Sequence, residues 1–397
     1  MDTPTTDKKY EDPQSTPANL VEQILQSAVA SRASDIHLDP SRDSLAVRFR
    51  VDGILYPFNS VPNYYAEAVI SRIKILAQMD IGEKRFPQDG HFEFDIDGKL
   101  HNFRVSTIPS MHGLAVVLRL LKKGDTFNDI ADLGMDSEQT AEAKSIVNSP
   151  HGMVLISGPT GSGKTTFLYS VMGSMNRVEK GIVTLEDPVE LEMEGVRQMQ
   201  INESVDLTFS KAARAVLRQN PDVIMIGEIR DNDTAAIAFR AALSGILVFS
   251  SFHTFDTPGL IIRMVEMGIP RSVIAYGLAG MISTRLVRKI CNNCAAPYVP
   301  TDFEMKVIGE AAKTANFMKG KGCEICRGTG FMGRTGIFEV IRFDDEIRSK
   351  IIEDISRTSL KDFFDKKIRK SLRMSAYDKV IQGETTVEEI VHIVGYE

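Results

Sequence analysis

Residues 153–165 read MVLISGPTGSGKT, an apolar strand followed by a glycine-rich turn. The turn fits the pattern G-x-x-x-x-G-K-[ST], which cradles phosphate groups when it lies between a strand and a helix. Glycines let consecutive N–H groups converge on phosphate oxygens, and the helix N-terminus adds its positive dipole end. Lys164 supplies a mobile charge for the β- and γ-phosphates, and Thr165 offers a hydroxyl to Mg²⁺. The stretch therefore predicts binding of a nucleoside triphosphate by Gly158, Pro159, Thr160, Gly161, Ser162, Gly163, Lys164 and Thr165.

The segments around this loop alternate between short apolar strands and helical stretches. Alternation of this kind indicates an open, mainly parallel sheet in an α/β domain. We expect its strands and helices at residues 153–157, 164–175, 181–185, 212–218, 223–226, 234–243 and 247–250. A preceding helix starts near Ser137, so the α/β domain occupies residues 137–397 and residues 122–136 form a linker.

Two acids follow apolar strands of this predicted sheet. Glu186 ends the run 182–185, and Glu228 follows the run 223–226. Ligands bind at the carboxyl ends of such strands, and a P-loop enzyme needs one carboxylate near Mg²⁺ and one that orients the attacking water. Gly227 stands where a standard strand of this type carries Asp, so the Mg²⁺ role passes to Glu186 or to a water-mediated contact. Either acid taken alone also fits an ordinary exposed carboxylate.

His253 follows a third apolar strand, residues 246–252. A lone histidine is more often structural than functional. Because it is the third polar group at a strand end of the same predicted sheet, we interpret it as a candidate sensor of the γ-phosphate.

The four cysteines of the chain form two CxxC pairs, which 28 residues separate. Two such pairs provide four thiolates for tetrahedral Zn²⁺, and a site with four protein ligands is closed and therefore structural. The gap exceeds the common spacing of about 15–20 residues, so an insert must loop out between the pairs. The predicted zinc ligands are Cys291, Cys294, Cys323 and Cys326, within a zinc-binding insert at residues 286–337.

The segment 17–121 carries a different pattern from the α/β domain. An apolar stripe that begins at Leu20 fits one helix face, and alternating residues 45–51 predict a strand. The Asp52-Gly53 and Asp97-Gly98 pairs are turn signals between paired strands. The segment therefore predicts a small α+β domain built on an antiparallel sheet.

The two ends of the chain differ in composition. Residues 1–16 mix Thr, Pro, Asp and Lys with almost no apolar content, which predicts a flexible tail. Residues 341–397 predict helices, with a capping-box pattern at Thr386–Glu389 near the end.

Overall composition excludes several classes of protein. The 397 residues carry 47 Lys and Arg against 53 Asp and Glu, for a net charge of −6, which argues against a dedicated nucleic-acid binder. Uncharged apolar stretches such as 241–252 run to about a dozen residues, whereas a membrane-spanning helix needs about 20. The N-terminus lacks the apolar run of a signal peptide, so we expect a cytoplasmic protein.

The ordered set of motifs resembles the bacterial type II secretion and type IV pilus assembly ATPases, the GspE/PilB-like group. The resemblance covers about residues 17–397. Besides the phosphate loop and the paired cysteines, it rests on ASDIHLDP (33–40), RVDG (50–53), PQDG (87–90), RVST (104–107), LEDP (185–188), LRQNPDVIMIGEIRD (217–231) and GTGFMGRTGI (328–337).

The resemblance implies a fold and a set of site residues. A PAS-like domain at 17–121 would precede a RecA-like ATPase domain, with ATP bound between them, in a hexameric ring. The phosphate loop maps onto Gly158–Thr166, the acidic box onto Glu186 and Asp187, the catalytic Glu onto Glu228, and the histidine box onto His253. Arg104 and Arg119 match the arginines that reach the γ-phosphate, and Arg214 and Arg218 are weaker candidates from a neighbouring subunit.

The function that the resemblance implies is a hexameric motor ATPase for pilus or pseudopilus assembly or protein secretion. It would use ATP, Mg²⁺ and structural Zn²⁺, act on an inner-membrane platform protein, and be held at that membrane through its partners without binding nucleic acid. A motor for a DNA-uptake pilus and a non-hydrolysing nucleotide-binding regulator remain open alternatives. Ile246, Phe255 and His91 depart from the usual family residues, and the short tail suggests that an extra N-terminal docking domain is absent.

Overall fold

A computed structural model describes residues 16–121, 129–254 and 256–395. The chain divides into two compact units, residues 1–125 and 126–397. The predicted tail 1–16, apart from Thr16, and residues 122–128 of the predicted linker lie outside the described residues. So does Phe255.

The first unit is a six-stranded antiparallel sheet with two helices. The strand order is β3-β2-β1-β6-β5-β4, and every neighbouring pair is antiparallel. Asp52-Gly53 and Asp97-Gly98 have positive φ at both residues, as tight hairpin turns require, so the predicted hairpins are confirmed. The elements are α1 (Pro17–Ala30), β1 (Asp35–Pro40), β2 (Ser44–Val51), β3 (Ile54–Pro62), α2 (Asn63–Leu76), β4 (Gln88–Ile96), β5 (Lys99–Ser110) and β6 (Gly113–Leu121).

One face of this sheet carries the core of the unit. Alternate strand residues such as Ile36, Leu38 and Phe103 are fully buried, and they form one apolar cluster with residues of α1 such as Leu20 and Ile24. The period of two in the strands therefore separates an apolar face from a polar one. This arrangement confirms the predicted α+β domain.

The second unit contains a seven-stranded sheet. Its strand order is β15 (Phe331–Arg342), β12 (Leu278–Ile290), β7 (Gly152–Ser157), β11 (Leu247–Phe252), β10 (Val223–Glu228), β8 (Ile182–Glu186) and β9 (Arg197–Gln200). All neighbours are parallel except the edge strand β15, which is antiparallel to β12. The elements up to β12 are α3 (Ser137–Val147), β7 (Gly152–Ser157), α4 (Lys164–Ser174), β8 (Ile182–Glu186), β9 (Arg197–Gln200), α5 (Phe209–Val216), β10 (Val223–Glu228), α6 (Asn232–Leu243), β11 (Leu247–Phe252), α7 (Thr257–Glu266), α8 (Arg271–Gly277) and β12 (Leu278–Ile290).

The central strands of this sheet are buried on both faces. Every residue of β7, β8 and β11 is buried, which is why their sequences read as continuous apolar runs rather than alternating ones. The predicted mainly parallel sheet is confirmed, and the parallel strands end at one common edge. The phosphate loop, Glu186, Glu228 and His253 all follow strands at that edge.

The remaining elements follow β12 along the chain. They are β13 (Ala295–Pro297), α9 (Asp302–Ile308), β14 (Met318–Gly320), β15 (Phe331–Arg342), α10 (Asp345–Glu353), α11 (Arg357–Lys367), α12 (Leu372–Ile381) and α13 (Val387–Val394). The cysteine segment connects β12 to β15. Both predicted ends lie inside the long antiparallel pair of β12 and β15, where Arg285 is paired with Ile337 and Arg288 with Arg334.

The predicted capping box at the start of α13 is only half formed. The Thr386 hydroxyl accepts from the Glu389 N–H at 3.2 Å, as a cap does. The Glu389 carboxylate instead accepts from Arg288, from the backbone N–H at 3.0 Å and from Nε and Nη2 at 2.9 and 2.6 Å. A long-range ion pair therefore competes successfully with the local bond and ties α13 to β12. No helix of the described chain is long and apolar enough to cross a bilayer.

Replacing Glu389 by Ala should destabilise the second unit strongly, because Glu389 is 5% exposed and accepts three hydrogen bonds from the largely buried Arg288. A loss of about 3–5 kcal/mol is expected for breaking such a buried pair. Glu266→Ala is the matched control, since its pair with Arg263 is exposed and should contribute at most about 1 kcal/mol. Thermal and denaturant unfolding of both variants measure this difference, and equal losses would contradict it.

Candidate active site

The loop between β7 and α4 has a backbone shape that requires glycine at several positions. Gly161 and Gly163 have φ values of 77° and 95°. A Cβ atom on Gly158 would lie 2.4 Å from the Ser162 hydroxyl oxygen and 2.6 Å from the Thr284 carbonyl oxygen. The sequence thus meets the steric demands of a phosphate-binding loop, in which N–H groups and a helix N-terminus surround an anion. These residues fit a nucleotide polyphosphate.

Lys164 is buried at the start of α4, with 8% of the residue exposed. Its ammonium donates to the carbonyl oxygens of Gly158 and Pro159 at 2.7 and 2.9 Å, and among the described residues it forms no ion pair. Burial lowers its pKa from 10.5 to about 8, although the Glu228 charge opposes that shift. A buried cation held by neutral partners is well placed to gain from a bound anion.

Glu228 and His253 lie beside this lysine. The His253 ring places Nδ1 3.5 Å from Lys164 Nζ and Nε2 3.5 Å from Glu228 Oε2. Burial and the neighbouring Lys164 charge lower the pKa of His253, which favours the neutral ring at neutral pH. The structure therefore brings three predicted site residues from different parts of the chain into one line of neighbouring side chains: Lys164, His253 and Glu228.

Arg230 is a site residue that the sequence reasoning did not single out. Its guanidinium donates to Glu228 Oε1 at 2.6 Å and lies 3.6 Å from Asp187 Oδ2. It therefore bridges the carboxylates that follow β10 and β8. Its only sequence signal is its position in the GEIRD stretch, two residues after Glu228.

A pocket of about 520 Å³ opens beside Glu228 and His253. Three arginines that line it are each paired with an acid of the same pocket, so the space next to the Glu228 carboxylate is polar with balanced charge: Arg230 with Glu228, Arg263 with Glu266 and Arg357 with Asp256. It offers room for water next to a carboxylate that is only partly buried.

Glu186 lies apart from this line. It is 4% exposed, and its carboxylate accepts from the hydroxyls of Tyr169 and Thr184 and from the Gln198 amide. Among the described residues it makes no hydrogen bond or ion pair with Lys164, Thr165 or Glu228. Its role toward Mg²⁺ stays a prediction.

Gly227 has a packing reason for its identity. A Cβ atom at this position would lie 3.2 Å from the Leu185 carbonyl oxygen and 3.6 Å from Glu186 Cα, on the neighbouring strand β8. The close approach of β10 to β8 therefore leaves little room for the aspartate that a standard strand carries there.

Strand β12 supports the phosphate loop from the other side. Its Thr284 hydroxyl donates to the Ser162 carbonyl oxygen at 3.1 Å, and its Ser283 hydroxyl is 3.0 Å from that of Ser157. No sequence motif marks these contacts, since they depend on the pairing of β12 with β7.

Arg104 and Arg119 lie on the polar face of the first unit. They face each other across β5 and β6, in a row of paired residues that runs Arg50, Asp35, Arg119, Arg104 and His91. Arg119 Nε donates to Asp35 at 2.9 Å, yet 61% of the Arg119 side chain is exposed. The row concentrates positive charge around one acid, and its action on a γ-phosphate stays a prediction.

Three further predicted positions make local contacts within the second unit: Arg214, Arg218 and Ile246. Arg214 lies 3.5 Å from Asp233, and Arg218 donates to the Arg214 carbonyl oxygen at 3.1 Å. Ile246 packs against the core of the second unit. Their predicted effects on subunit contacts and sensing stay untested.

The four cysteines converge where β12 ends and before β15 begins. Their Sγ atoms lie within 4.8 Å of one another, with separations of 3.9, 3.7 and 3.6 Å for the pairs 291–323, 294–326 and 323–326. Four sulfurs about 2.3 Å from a tetrahedral zinc ion are about 3.8 Å apart, so the arrangement fits zinc. The Cys326 N–H lowers the pKa of the Cys323 thiol to about 6, which favours the thiolate that a metal needs.

The fold and the site define a P-loop nucleotide-binding protein with a mainly parallel sheet. That class is supported by a loop whose backbone requires glycine, by the buried Lys164 at the start of α4, and by Glu228 at the end of β10, which is the next strand but one from β7. The family described as "Type II/IV secretion system protein" matches residues 11–392, and the chain belongs to this family. The resemblance to secretion and pilus assembly ATPases is thereby confirmed.

Relatives and solved structures agree with this assignment. The chain is 42% identical over 379 residues to type II secretion system protein E of Dickeya dadantii, covering 95% of this chain and 76% of that protein. It is 41% identical to the type IV pilus assembly ATPase PilB of Thermus thermophilus, covering 95% of this chain and 43% of PilB. The Legionella pneumophila ATPase DotB has a TM-score of 0.69 at 20% identity, covering 97% of this chain and 98% of DotB, which shows a shared fold.

Nucleotide affinity should fall as pH rises above 8, because the free lysine loses its proton there and a bound phosphate requires the charged form. With a free pKa of about 8, affinity for a non-hydrolysable ATP analogue should drop about 30-fold between pH 7 and pH 9.5. Titration calorimetry in buffers of different protonation heat should show proton uptake on binding. The Lys164→Arg variant should lose this pH slope, and an unchanged slope would contradict the assignment to Lys164.

Purified protein should contain about one zinc ion per chain, bound by the four cysteines. Chelation, or the double change Cys323→Ser and Cys326→Ser, should remove the metal and lower the Tm of the second unit, since binding energy contributes to folding. Metal analysis and calorimetry measure both effects, and returned zinc should restore the chelated wild type only. Metal-free protein of unchanged Tm would contradict the prediction.

Proposed function

We propose that this protein is a motor ATPase that couples ATP hydrolysis to pilus or pseudopilus assembly or to protein secretion across the bacterial envelope. Its family and the names of its relatives support this class of activity. The observation that carries the proposal is the line of Lys164, His253 and Glu228 at the carboxyl edge of the parallel sheet. It combines a phosphate-binding cation with a candidate base within one site.

Each residue of the line has a distinct chemical task. Lys164 binds the β- and γ-phosphates and offsets their charge. Glu228 orients the attacking water or accepts its proton, with the pocket beside it as the entry for water. The neutral His253 ring, within reach of both neighbours, senses whether the γ-phosphate is present.

Magnesium fits the residues at the start of α4. Thr165, which is exposed at the end of the phosphate loop, would hold the ion, with Glu186 as the predicted acidic contributor. A bound Mg²⁺ would supply positive charge that offsets the charge developing in phosphoryl transfer. Arg104 and Arg119 are the proposed further source of positive charge for the γ-phosphate, and their exposure leaves both accessible to an anion.

The working assembly in this proposal is a homo-hexamer on the cytoplasmic side of the inner membrane. It would act on a platform protein of a secretion or pilus system and would associate with the membrane through that partner. The net charge of −6 favours a protein partner over DNA, whose binders carry basic surfaces. Zinc would have a structural part only, because all four ligands are cysteines.

The change Glu228→Gln should lower kcat for ATP hydrolysis by at least about 100-fold while nucleotide binding is retained, because it removes the base and keeps the size of the side chain. Glu266→Gln is the matched control, since this acid lines the same pocket but does not lie next to Lys164. Phosphate release and nucleotide titration measure the two properties.

Two results would contradict the proposal. One is full activity in the Glu228→Gln variant. The other is absence of turnover in wild-type protein under all conditions, including assembled rings with the membrane partner, which would favour a non-hydrolysing regulator.

A further inference from the structure

The Glu186 carboxylate is a buried charge that neutral groups surround. Its Oε1 accepts from Thr184 Oγ1 at 2.6 Å and from Gln198 Nε2 at 3.1 Å, and its Oε2 accepts from the Tyr169 hydroxyl. Among the described residues, no Lys, Arg or His forms an ion pair with it. A buried carboxylate without a counter-charge is costly, so this group would gain from a cation.

Hydrogen bonds among the described residues occupy three of the acceptor positions on Glu186. An ionised carboxylate offers about four lone-pair sites, two on each oxygen. Thr184 and Gln198 fill both sites of Oε1, and Tyr169 fills one site of Oε2. The three donors thus fix the carboxylate plane and, within the described part of the chain, leave the second site of Oε2 for a metal ion or a metal-bound water.

Tyr169 connects this carboxylate to the phosphate-loop helix. It lies on α4 four residues after Thr165, so the two side chains share one face of the helix a single turn apart. The Tyr169 hydroxyl donates to Glu186 Oε2. The hydroxyl oxygen accepts from the N–H groups of Glu190 and Leu191 at 3.1 and 3.2 Å.

The segment after β8 is held around the same carboxylate. Gln198, which donates to Glu186, also donates to the Leu191 carbonyl oxygen at 2.8 Å and accepts from the Met193 N–H at 2.7 Å. Tyr169 and Gln198 therefore each hydrogen-bond both to the Glu186 carboxylate and to the backbone of residues 190–193, which holds the two together.

We propose that Tyr169 is a positioning residue, which orients Glu186 toward the magnesium ion of a nucleotide held by Lys164 and Thr165. The inference rests on the proposed function and adds a residue to it. Its physical basis is that hydrogen bonds from neighbouring groups orient a metal-binding carboxylate and tune its affinity. Tyr169 acts through Glu186 and does not contact the reacting atoms.

The test is the change Tyr169→Phe in the full chain, with Mn²⁺ as the probe in place of Mg²⁺. Mn²⁺ binding to the complex with a non-hydrolysable ATP analogue is measured by electron paramagnetic resonance. Loss of the hydroxyl should weaken Mn²⁺ binding about 10-fold or more. Affinity for the same analogue in EDTA should stay within about twofold of wild type, because Tyr169 does not touch the phosphate loop backbone.

Tyr298→Phe is the matched control. The Tyr298 hydroxyl donates to the Glu304 carboxylate in the cysteine-containing part of the second unit, so this variant removes the same kind of bond elsewhere. It should bind Mn²⁺ like wild type. The Mg²⁺ concentration for half-maximal hydrolysis should rise in Tyr169→Phe and stay unchanged in Tyr298→Phe.

Three results would overturn the proposal: unchanged or tighter Mn²⁺ binding in Tyr169→Phe, an equal loss in Tyr298→Phe, or an equal loss of affinity in EDTA, which would mark Tyr169 as a structural anchor. If the proposed ATPase function is wrong, the outcome differs: wild type would bind the metal and the analogue normally without hydrolysing ATP. The Mn²⁺ measurement would still show whether Tyr169 positions Glu186.

Discussion

The burial of the Lys164 ammonium is the constraint on which the rest of the site depends. The cation is held by two loop carbonyl oxygens, and burial lowers its pKa to about 8. The two carbonyl oxygens stabilise the buried ammonium, and a bound anion would add a further favourable interaction. The glycines of the loop make this possible, since a Cβ at Gly158 would collide with Ser162 and with the Thr284 carbonyl oxygen.

The parallel sheet determines which other residues can act with this lysine. Strands β7, β10 and β11 are adjacent or next but one, so the residues that follow them lie at the same edge. Glu228 and His253 reach Lys164 for that reason, although 64 and 89 residues separate them from it in the chain. Glu186 ends β8, one strand further out, and its carboxylate accepts hydrogen bonds from Tyr169 and Gln198.

The sequence allowed prediction of features that depend on local pattern. The phosphate loop, the apolar parallel strands and the two Asp-Gly hairpins follow from spacing and residue type, and the structure agrees with each. It did not reveal features that depend on pairing between distant strands: the row from Arg50 to His91, the support of Ser162 by Thr284, and the long β12–β15 pair that flanks the cysteine segment. The Glu389 side chain does not complete the predicted capping box for the same reason. Its carboxylate accepts from the distant, charged Arg288, which gives a stronger hydrogen bond than the local backbone N–H.

Strand β12 links the two parts of the second unit that bind ions in our interpretation. Thr284 contacts the phosphate loop, whereas Ile290 leads directly into the first zinc ligand, Cys291. Thr284 and Ile290 are six residues apart in extended chain, which is about 20 Å. The pairing of β12 with β15 and the bond from Arg288 to Glu389 hold that strand between its two ends, so β12 is a continuous hydrogen-bonded element that connects the phosphate loop to the cysteine cluster.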